Sequence, residues 1–408
     1  MKLPALAALL CLSGPAAAQD WTQFRGPDGQ GHSKVEKLPL KWSDTGPGIA
    51  WKTPIEGLGW SSPVVSGERL WLTTATAEGR SLHAVCLDLK TGKPLRDVEV
   101  FKLEAPGKVH KKNSHASPTP ILDGNRVYVH FGPHGTACLS DDGKVLWKQK
   151  LPYDPVHGPG GSPALIGELL IYSADGSDTQ NVIALDRKTG ALRWKVPRPA
   201  NAGPKKFAFS TPLLVEVGAA RQVLSAGAEA VTAHDPATGR ILWWCRYPGG
   251  YSVIPRPVFG HGLVFLSSGY DKPVFYAIRV DGKGDVTDTH VAWRLDRNAP
   301  HSPSPLLVGD ELYIVDDRGI ATCLDAKTGK QHWQERIGGN HSASPFHAAG
   351  RIYFQDEDGV TTVIKADLKF EKLAQNTVKG RTLASPVPLE GALLLRTDTQ
   401  LLRIDAEK

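Results

Sequence analysis

The chain has little of what marks a metal, haem or disulfide protein. It has five cysteines in 408 residues. Cys86, Cys138, Cys245 and Cys323 form no C-x-x-C, no C-x-x-C-H and no adjacent pair, which excludes the usual zinc and covalent-haem signatures. No stretch approaches the roughly 20 apolar residues that a helix needs to cross a bilayer. G-x-S-x-G, Walker and H-E-x-x-H motifs are missing as well, so no familiar catalytic motif competes for attention. A strong charge of one sign is also lacking. The 48 basic and 42 acidic side chains leave a formal +6, and nucleic acid is not an expected partner.

What is abundant is glycine, at 42, and proline, at 31, in a chain that is 41% hydrophobic. Both residues punctuate turns and neither suits a helix interior, so a globular fold of strands and turns is expected rather than a helical bundle.

The first eighteen residues have a signal-peptide layout. Lys2 precedes the apolar run Ala5 to Leu12, Ser13-Gly14-Pro15 breaks it, and Ala16-Ala17-Ala18 supplies an A-x-A site. Cleavage is expected after Ala18, giving an exported chain, periplasmic or otherwise extracytoplasmic. Cys11 is not expected to carry a lipid, because Leu9-Leu10 stand where a lipoprotein signal has small residues.

A repeat runs through the rest. A short apolar strand follows Ser62-Pro63, Ser117-Pro118, Ser162-Pro163, Thr211-Pro212, Arg256-Pro257, Ser304-Pro305, Ser344-Pro345 and Ser385-Pro386. The eight prolines stand 55, 45, 49, 45, 48, 40 and 41 residues apart, the period of four-stranded propeller blades. Within a unit, short strands alternate with turns, so four antiparallel strands are expected in each. A D-x-x-T-G turn recurs at Asp88–Gly92, Asp186–Gly190, Asp235–Gly239 and Asp325–Gly329. Its Asp and Thr oxygens accept turn N–H groups and its Gly takes positive φ.

Trp147, Trp194, Trp243, Trp293 and Trp333 follow these turns or their looser forms. A repeated aromatic of this size is expected to wedge neighbouring blades together. Cys86, Cys138 and Cys323 fall at matching strand positions in different units and read as small buried side chains.

The last unit stops at Asp405-Ala-Glu-Lys408 without its Trp strand, whereas Ile49-Ala50-Trp51-Lys52-Thr53 is a Trp strand with no unit before it. The expectation is an all-β, eight-bladed propeller over residues 49–408, in which this N-terminal strand completes the C-terminal blade and removes the open edge. Residues 19–48 read as a looser lead-in. Trp51→Ala is therefore expected to cost more stability than Trp21→Ala.

The S-P anchors, A-x-D-x-x-T-G turns and following Trp resemble the PQQ-type (pyrroloquinoline-quinone-type) β-propeller repeat of quinoprotein dehydrogenases and of outer-membrane assembly factors of the BamB type. The opening Trp21-Thr-Gln-Phe-Arg25-Gly-Pro-Asp28-Gly, with Trp42 and the Trp51 strand, is similar to the start of an exported group of PQQ-like propeller proteins. The resemblance implies a fold more than an activity, since the matching residues are those that build blades. The dehydrogenases hold a quinone and calcium at the ring centre, often beneath an adjacent-cysteine disulfide. Here there is no Cys-Cys, and no Glu/Asn/Asp calcium set maps onto matching positions, so no PQQ, Ca²⁺ or other metal is expected. The expected role is a non-catalytic binding scaffold of the periplasm or cell envelope, monomeric and without a transmembrane segment. A PQQ- or metal-dependent oxidoreductase is the alternative.

The loops before each anchor crowd the channel mouth. They carry Trp60, His115, His157, Phe209, Arg256, His301, His341 and Arg381, with several lysines, among them Lys111, Lys112 and Lys205. These residue types suit an acidic or aromatic partner: an envelope protein, peptide or polymer. Each also has a plainer use, since loops are polar by default and a His beside Ser and Pro often bonds a backbone carbonyl.

Overall fold

A computed structural model describes residues 20–46, 48–199 and 203–407. The signal-peptide reading, Cys11 and the cleavage site fall outside these residues. Apart from two single-turn 3₁₀ segments, the described elements are strands.

The strands form eight sheets in chain order. Blades 1 to 7 span residues 64–102, 121–149, 164–197, 213–246, 258–295, 306–336 and 346–377. Blade 8 combines 387–405 with the strand Ile49–Pro54. That strand pairs antiparallel with Gln400–Asp405, setting Trp51 opposite Arg403 and Pro54 opposite Gln400. The ring thus closes as the truncated last repeat implies. Blade 4 departs from the four-strand pattern, because Gly284–Asp285 of the next repeat adds a short parallel fifth strand against Trp243 and Trp244.

Two sets of contacts join blade to blade. On the outside, the Trp of one blade packs on the glycine of the next blade's D-x-x-T-G turn. A Cβ at Gly92 would stand 2.6 Å from the Trp51 ring, one at Gly239 2.7 Å from Trp194, and one at Gly329 2.7 Å from Trp293. These glycines hold φ of +71° to +76°, so the position needs glycine both for its backbone and for the ring against it. The indole N–H then donates to the turn: Trp51 to Leu89 O at 3.1 Å, Trp147 to Arg187 O at 3.1 Å, Trp194 to Pro236 O at 3.1 Å and Trp293 to Ala326 O at 3.0 Å. Trp243 is the exception, fully buried and bonded within its own blade to Gln222.

Around the channel, at six of the eight steps, the residue before the anchor proline donates its N–H to the hydroxyl at the same place in the next blade. The bonds are Ser62 to Thr119 at 3.0 Å, Thr119 to Ser162 at 2.9 Å, Ser162 to Thr211 at 2.9 Å, Arg256 to Ser304 at 3.0 Å, Ser304 to Ser344 at 3.0 Å and Ser344 to Ser385 at 2.9 Å. Pro at the following position holds each donor residue extended. This belt corrects one anchor. In blade 2 it is Thr119-Pro120, with the strand starting at Ile121, rather than Ser117-Pro118. A slip of two residues keeps the same strand face, so alternation alone does not detect it.

The lead-in is not loose. Trp21 exchanges backbone bonds with Val65 of blade 1 at 3.0 and 2.9 Å, and Thr22 O accepts from Leu122 of blade 2. Arg25 reaches Pro305 O of blade 6 at 2.7 Å, while Gly31 and Ser33 bond His347 of blade 7. The segment crosses the channel and plugs it. Trp21 is 2% exposed, whereas Trp51 is half-buried, so the expected ranking of the two tryptophans reverses. The four cysteines among the described residues, Cys86, Cys138, Cys245 and Cys323, are buried and free.

Several histidines are buried or half-buried. Burial pushes His130 down to about 3 and His134, His234 and His347 down to about 4. Each stays neutral in the fold where the unfolded chain, titrating near 6.5, takes up a proton. The unfolded state therefore binds more protons below that pH, and stability falls as pH drops from about 6.5 towards 4.

Trp21→Ala is expected to cost about 3–5 kcal/mol, the size for removing a fully buried large aromatic, and to lower the melting temperature at least as much as Trp51→Ala. The melting temperature of the unaltered protein should fall steadily from pH 6.5 to 4.5, above the carboxylate range. His130→Asn should flatten that slope.

Candidate functional site

With the channel plugged, one face of the ring is a blind cup of about 830 Å³. All eight inter-blade loops reach it. Phe24, from the plug, is among its lining residues, as are the belt hydroxyls of Ser62, Thr119, Ser162, Thr211, Ser304, Ser344 and Ser385. Its size falls within the range of small-molecule and peptide-tip sites.

One wall is a continuous arc of rings. His110 lies 5.2 Å from His157, His157 5.1 Å from Phe207 and 6.3 Å from Phe209, Phe207 5.5 Å from Tyr251, Tyr251 6.1 Å from Tyr270, and Tyr270 5.3 Å from His301, centroid to centroid. The sequence hint for part of this arc was available in Phe207-Ala-Phe209, whose alternation puts both rings on one face. Tyr251 and Tyr270 had no such signal, because the first stands five residues before its anchor and the second lies in a loop inside blade 5.

Polar groups complete the lining. Asp317 accepts the backbone N–H of His301 at 2.6 Å and of Ser302 at 3.1 Å, and the Ser302 hydroxyl at 2.7 Å. Near the rim, Lys112 pairs with Glu357 at 2.6 Å and Lys205 with Asp271 at 3.2 Å. Burial would raise the Glu357 carboxyl, but Lys112 and the Ser342 hydroxyl hold it below its ordinary value. Asp271 is likewise held down by the Tyr251 hydroxyl and Lys205. Lys205 also lies 4.1 Å over the Tyr251 ring.

Of the residues singled out in the sequence, Trp60, His157, Phe209 and His301 line the cup. Arg381 stands beside it, 5.8 Å over the Trp60 ring and bonded to Lys111 O. His115 and His341 are buried and do not line it. Each bonds a carbonyl, of Gly107 at 3.1 Å and of Gly339 at 2.9 Å. Arg256 is turned towards the plug, donating to Phe24 O at 2.7 Å and Pro212 O at 2.9 Å. It takes the belt position that a hydroxyl fills elsewhere and secures the segment instead, with its side chain 2% exposed.

The rim is strained. Val156 holds φ +61° and Asp271 φ +69°, and each is the centre of a three-residue turn, His157 N to Pro155 O at 2.6 Å and Lys272 N to Tyr270 O at 3.2 Å. Positive φ at the centre is the rarer form of the γ-turn, and a β-branched residue is especially costly there. The first turn presents His157 to the arc, the second Tyr270. Strain of this kind persists where a site holds it in place.

Comparison with known proteins places these features among related folds. A family profile described as "Outer membrane protein assembly factor BamB" matches residues 40–156, 178–307 and 284–408. The outer membrane protein assembly factor BamB of Burkholderia pseudomallei is 30% identical over 125 residues, 30% of this chain and 32% of that protein; the match thus spans about a third of the relative's length. The crystal structure of BamB from Moraxella catarrhalis is similar with a TM-score of 0.62 at 12% identity, covering 88% of this chain and 97% of that one. The quinohemoprotein alcohol dehydrogenase of Comamonas testosteroni gives 0.69 at 12% identity, covering 96% and 81%. At such identities the two structures share the fold, and the fold alone.

The strained rim makes a direct prediction. Val156→Gly relieves the positive φ, so the melting temperature is expected to hold or rise by the equivalent of up to about 1 kcal/mol, against the loss that a Val→Gly change brings in an ordinary strand.

Proposed function

We propose, on the footing that this chain belongs to the family of the outer membrane protein assembly factor BamB, that it is an exported, non-catalytic binding scaffold acting as a monomer in the cell envelope. The observation that carries this reading is the blind cup with its seven-ring arc on a strained rim. A large concave site with apolar rings, converging polar groups and little chemistry is suited to holding a partner. The exposed large apolar side chains Val156, Ile254 and Tyr270 all stand on it, and exposed apolar side chains gathered at one mouth favour an interaction site. Export rests on the signal-peptide pattern of residues 1–18.

The quinone dehydrogenase alternative has less support. Calcium and related hard cations need a cage of several carboxylate and carbonyl oxygens. Asp317 is the one carboxylate among the cup's described lining residues, and it already accepts three hydrogen bonds. Among the described residues no group of three or more His, Cys, Asp or Glu is arranged to hold a metal. Phe24 and Arg256 occupy the channel below. This donor set does not fit a quinone with its metal.

Site-directed photocrosslinking in intact cells tests the reading. A benzophenone side chain at Ile254, on the cup, should give a discrete adduct with an envelope component. The same group at Leu192, on the outer strand of blade 3, should not. Equal labelling from both positions, no adduct from Ile254, or dye reduction by purified protein given PQQ, Ca²⁺ and an alcohol would overturn it.

A further inference from the structure

We propose that the cup takes an extended, proline-rich segment of a partner protein in the polyproline II conformation. The assignment rests on the binding reading above and names its ligand.

Three features select this chemistry. None of the described residues lining the cup lies in a strand, so a peptide cannot enter by adding itself to a sheet edge. Recognition must come from side chains and loop backbone. The arc is also not a flat platform. Four of its successive pairs meet nearly at right angles: His157 and Phe207 at 82°, Phe207 and Tyr251 at 77°, Tyr251 and Tyr270 at 73°, and Tyr270 and His301 at 68°. Crossed rings make slots between ridges, and pyrrolidine rings fit slots. A sugar stacks best on a broad open face.

The hydrogen-bonding inventory and the charge agree with this. The lining carboxylate is spent on His301 and Ser302, while Lys111, Asn340 and Arg318 line the cup with N–H groups. Arg318 uses Nε and Nη2 on Asp316, and its Nη1 takes no part in that pair. Six of the seven lining belt hydroxyls already accept a backbone N–H, so the cup offers more donors than free acceptors and complements a chain rich in carbonyls and poor in N–H, such as a proline-rich segment. A glycan, whose hydroxyls donate as well as accept, would leave more of its donors unmatched. Lys112, Lys205 and Arg318 are each matched to an acid at the rim. The site is therefore close to neutral, which disfavours an acidic peptide. A polyproline II ligand also binds at a small entropic cost, because it is already extended.

Fluorescence anisotropy on the mature chain tests this with four probes: a labelled peptide of repeated Ala-Pro-Pro, a Gly-Ser peptide of equal length, a Glu-rich peptide, and maltohexaose as competitor. The Ala-Pro-Pro peptide is expected to bind with micromolar affinity, nearly independent of salt, and the others to bind at least about tenfold more weakly. Tyr270→Ala should weaken it about tenfold or more, the loss typical of an aromatic anchor. Tyr270→Phe should keep most of the affinity, and Leu192→Ala, on the outer wall, all of it. Melting curves should be unchanged in all three variants, since Tyr270 is 53% exposed and Leu192 46%.

Equal or tighter binding of the Gly-Ser peptide, the Glu-rich peptide or maltohexaose would overturn the assignment. So would Tyr270→Ala leaving the affinity intact. If the proline peptide fails while the Ile254 crosslink persists, the ligand class is wrong and the binding reading stands. If both fail, both fall.

Discussion

A propeller ring has one seam, and here everything else is arranged around it. Blade 8 is made from the two ends of the fold, with Ile49–Pro54 hydrogen-bonded to Gln400–Asp405. Trp51 on that strand then packs against Gly92 and bonds Leu89 of blade 1, so a single strand closes the sheet and docks the last blade to the first. On the inner side Arg396 spans the same seam, donating to Ser61 O and Oγ at 2.9 and 2.7 Å. No hydroxyl of the belt bridges that step among the described bonds, and a fully buried guanidinium does the joining. Its burial lowers it to about 9, still charged at neutral pH, and hydrogen bonds to the Ser61 carbonyl and hydroxyl offset part of the cost.

The seam also determines what the preceding residues do. Because the closing strand lies on the outer edge of blade 8, the chain before it starts inside the ring and must pass from the channel to the outside. Residues 20–33 use that path to fill the channel, with Arg25 of the segment and Arg256, which bonds Phe24 O, both buried. Gly29, at φ +69°, lets the backbone lie against the Arg256 guanidinium where a Cβ has no room. Residues 36 and 37 then bond Glu390 and Trp42 N bonds Asn376 on the way out. The channel becomes a cup, closed beneath and open at the loop face. The large cup is thereby confined to one side of the ring, where eight loops of separate repeats bring rings and polar groups together.

The blades were legible because their signals are local and repeated. Asp, Thr and Gly at fixed offsets build the same turn wherever they occur, and Trp recurs at a fixed distance beyond it. The truncated last repeat and the orphan Trp51 strand together pointed to closure. The plug was not legible, since residues 20–33 follow neither the strand nor the blade period and owe their order to contacts with five blades. The same limit explains the mislocated anchor of blade 2, where Ser117-Pro118 and Thr119-Pro120 differ by one strand period. It also explains the mixed outcome at the mouth. Trp60, His157, Phe209 and His301 line the cup, whereas His115, His341 and Arg256 turned to carbonyls. Position along a loop places a residue near the mouth but does not aim its side chain. The arc itself joins rings from loops far apart in sequence, and no spacing rule links His110 to His301.

The central claim is that the lead-in is an integral part of the ring. Hydrogen–deuterium exchange on the purified protein tests it most directly, read at Trp21, Ser33 and the closing strand, with the Leu122 and His347 amides that the plug satisfies. The account predicts protection of residues 20–33 comparable to that of the innermost strands, lost only together with them near global unfolding. Complete exchange of residues 20–33 within seconds, while the blades stay protected, would contradict it and leave the channel open.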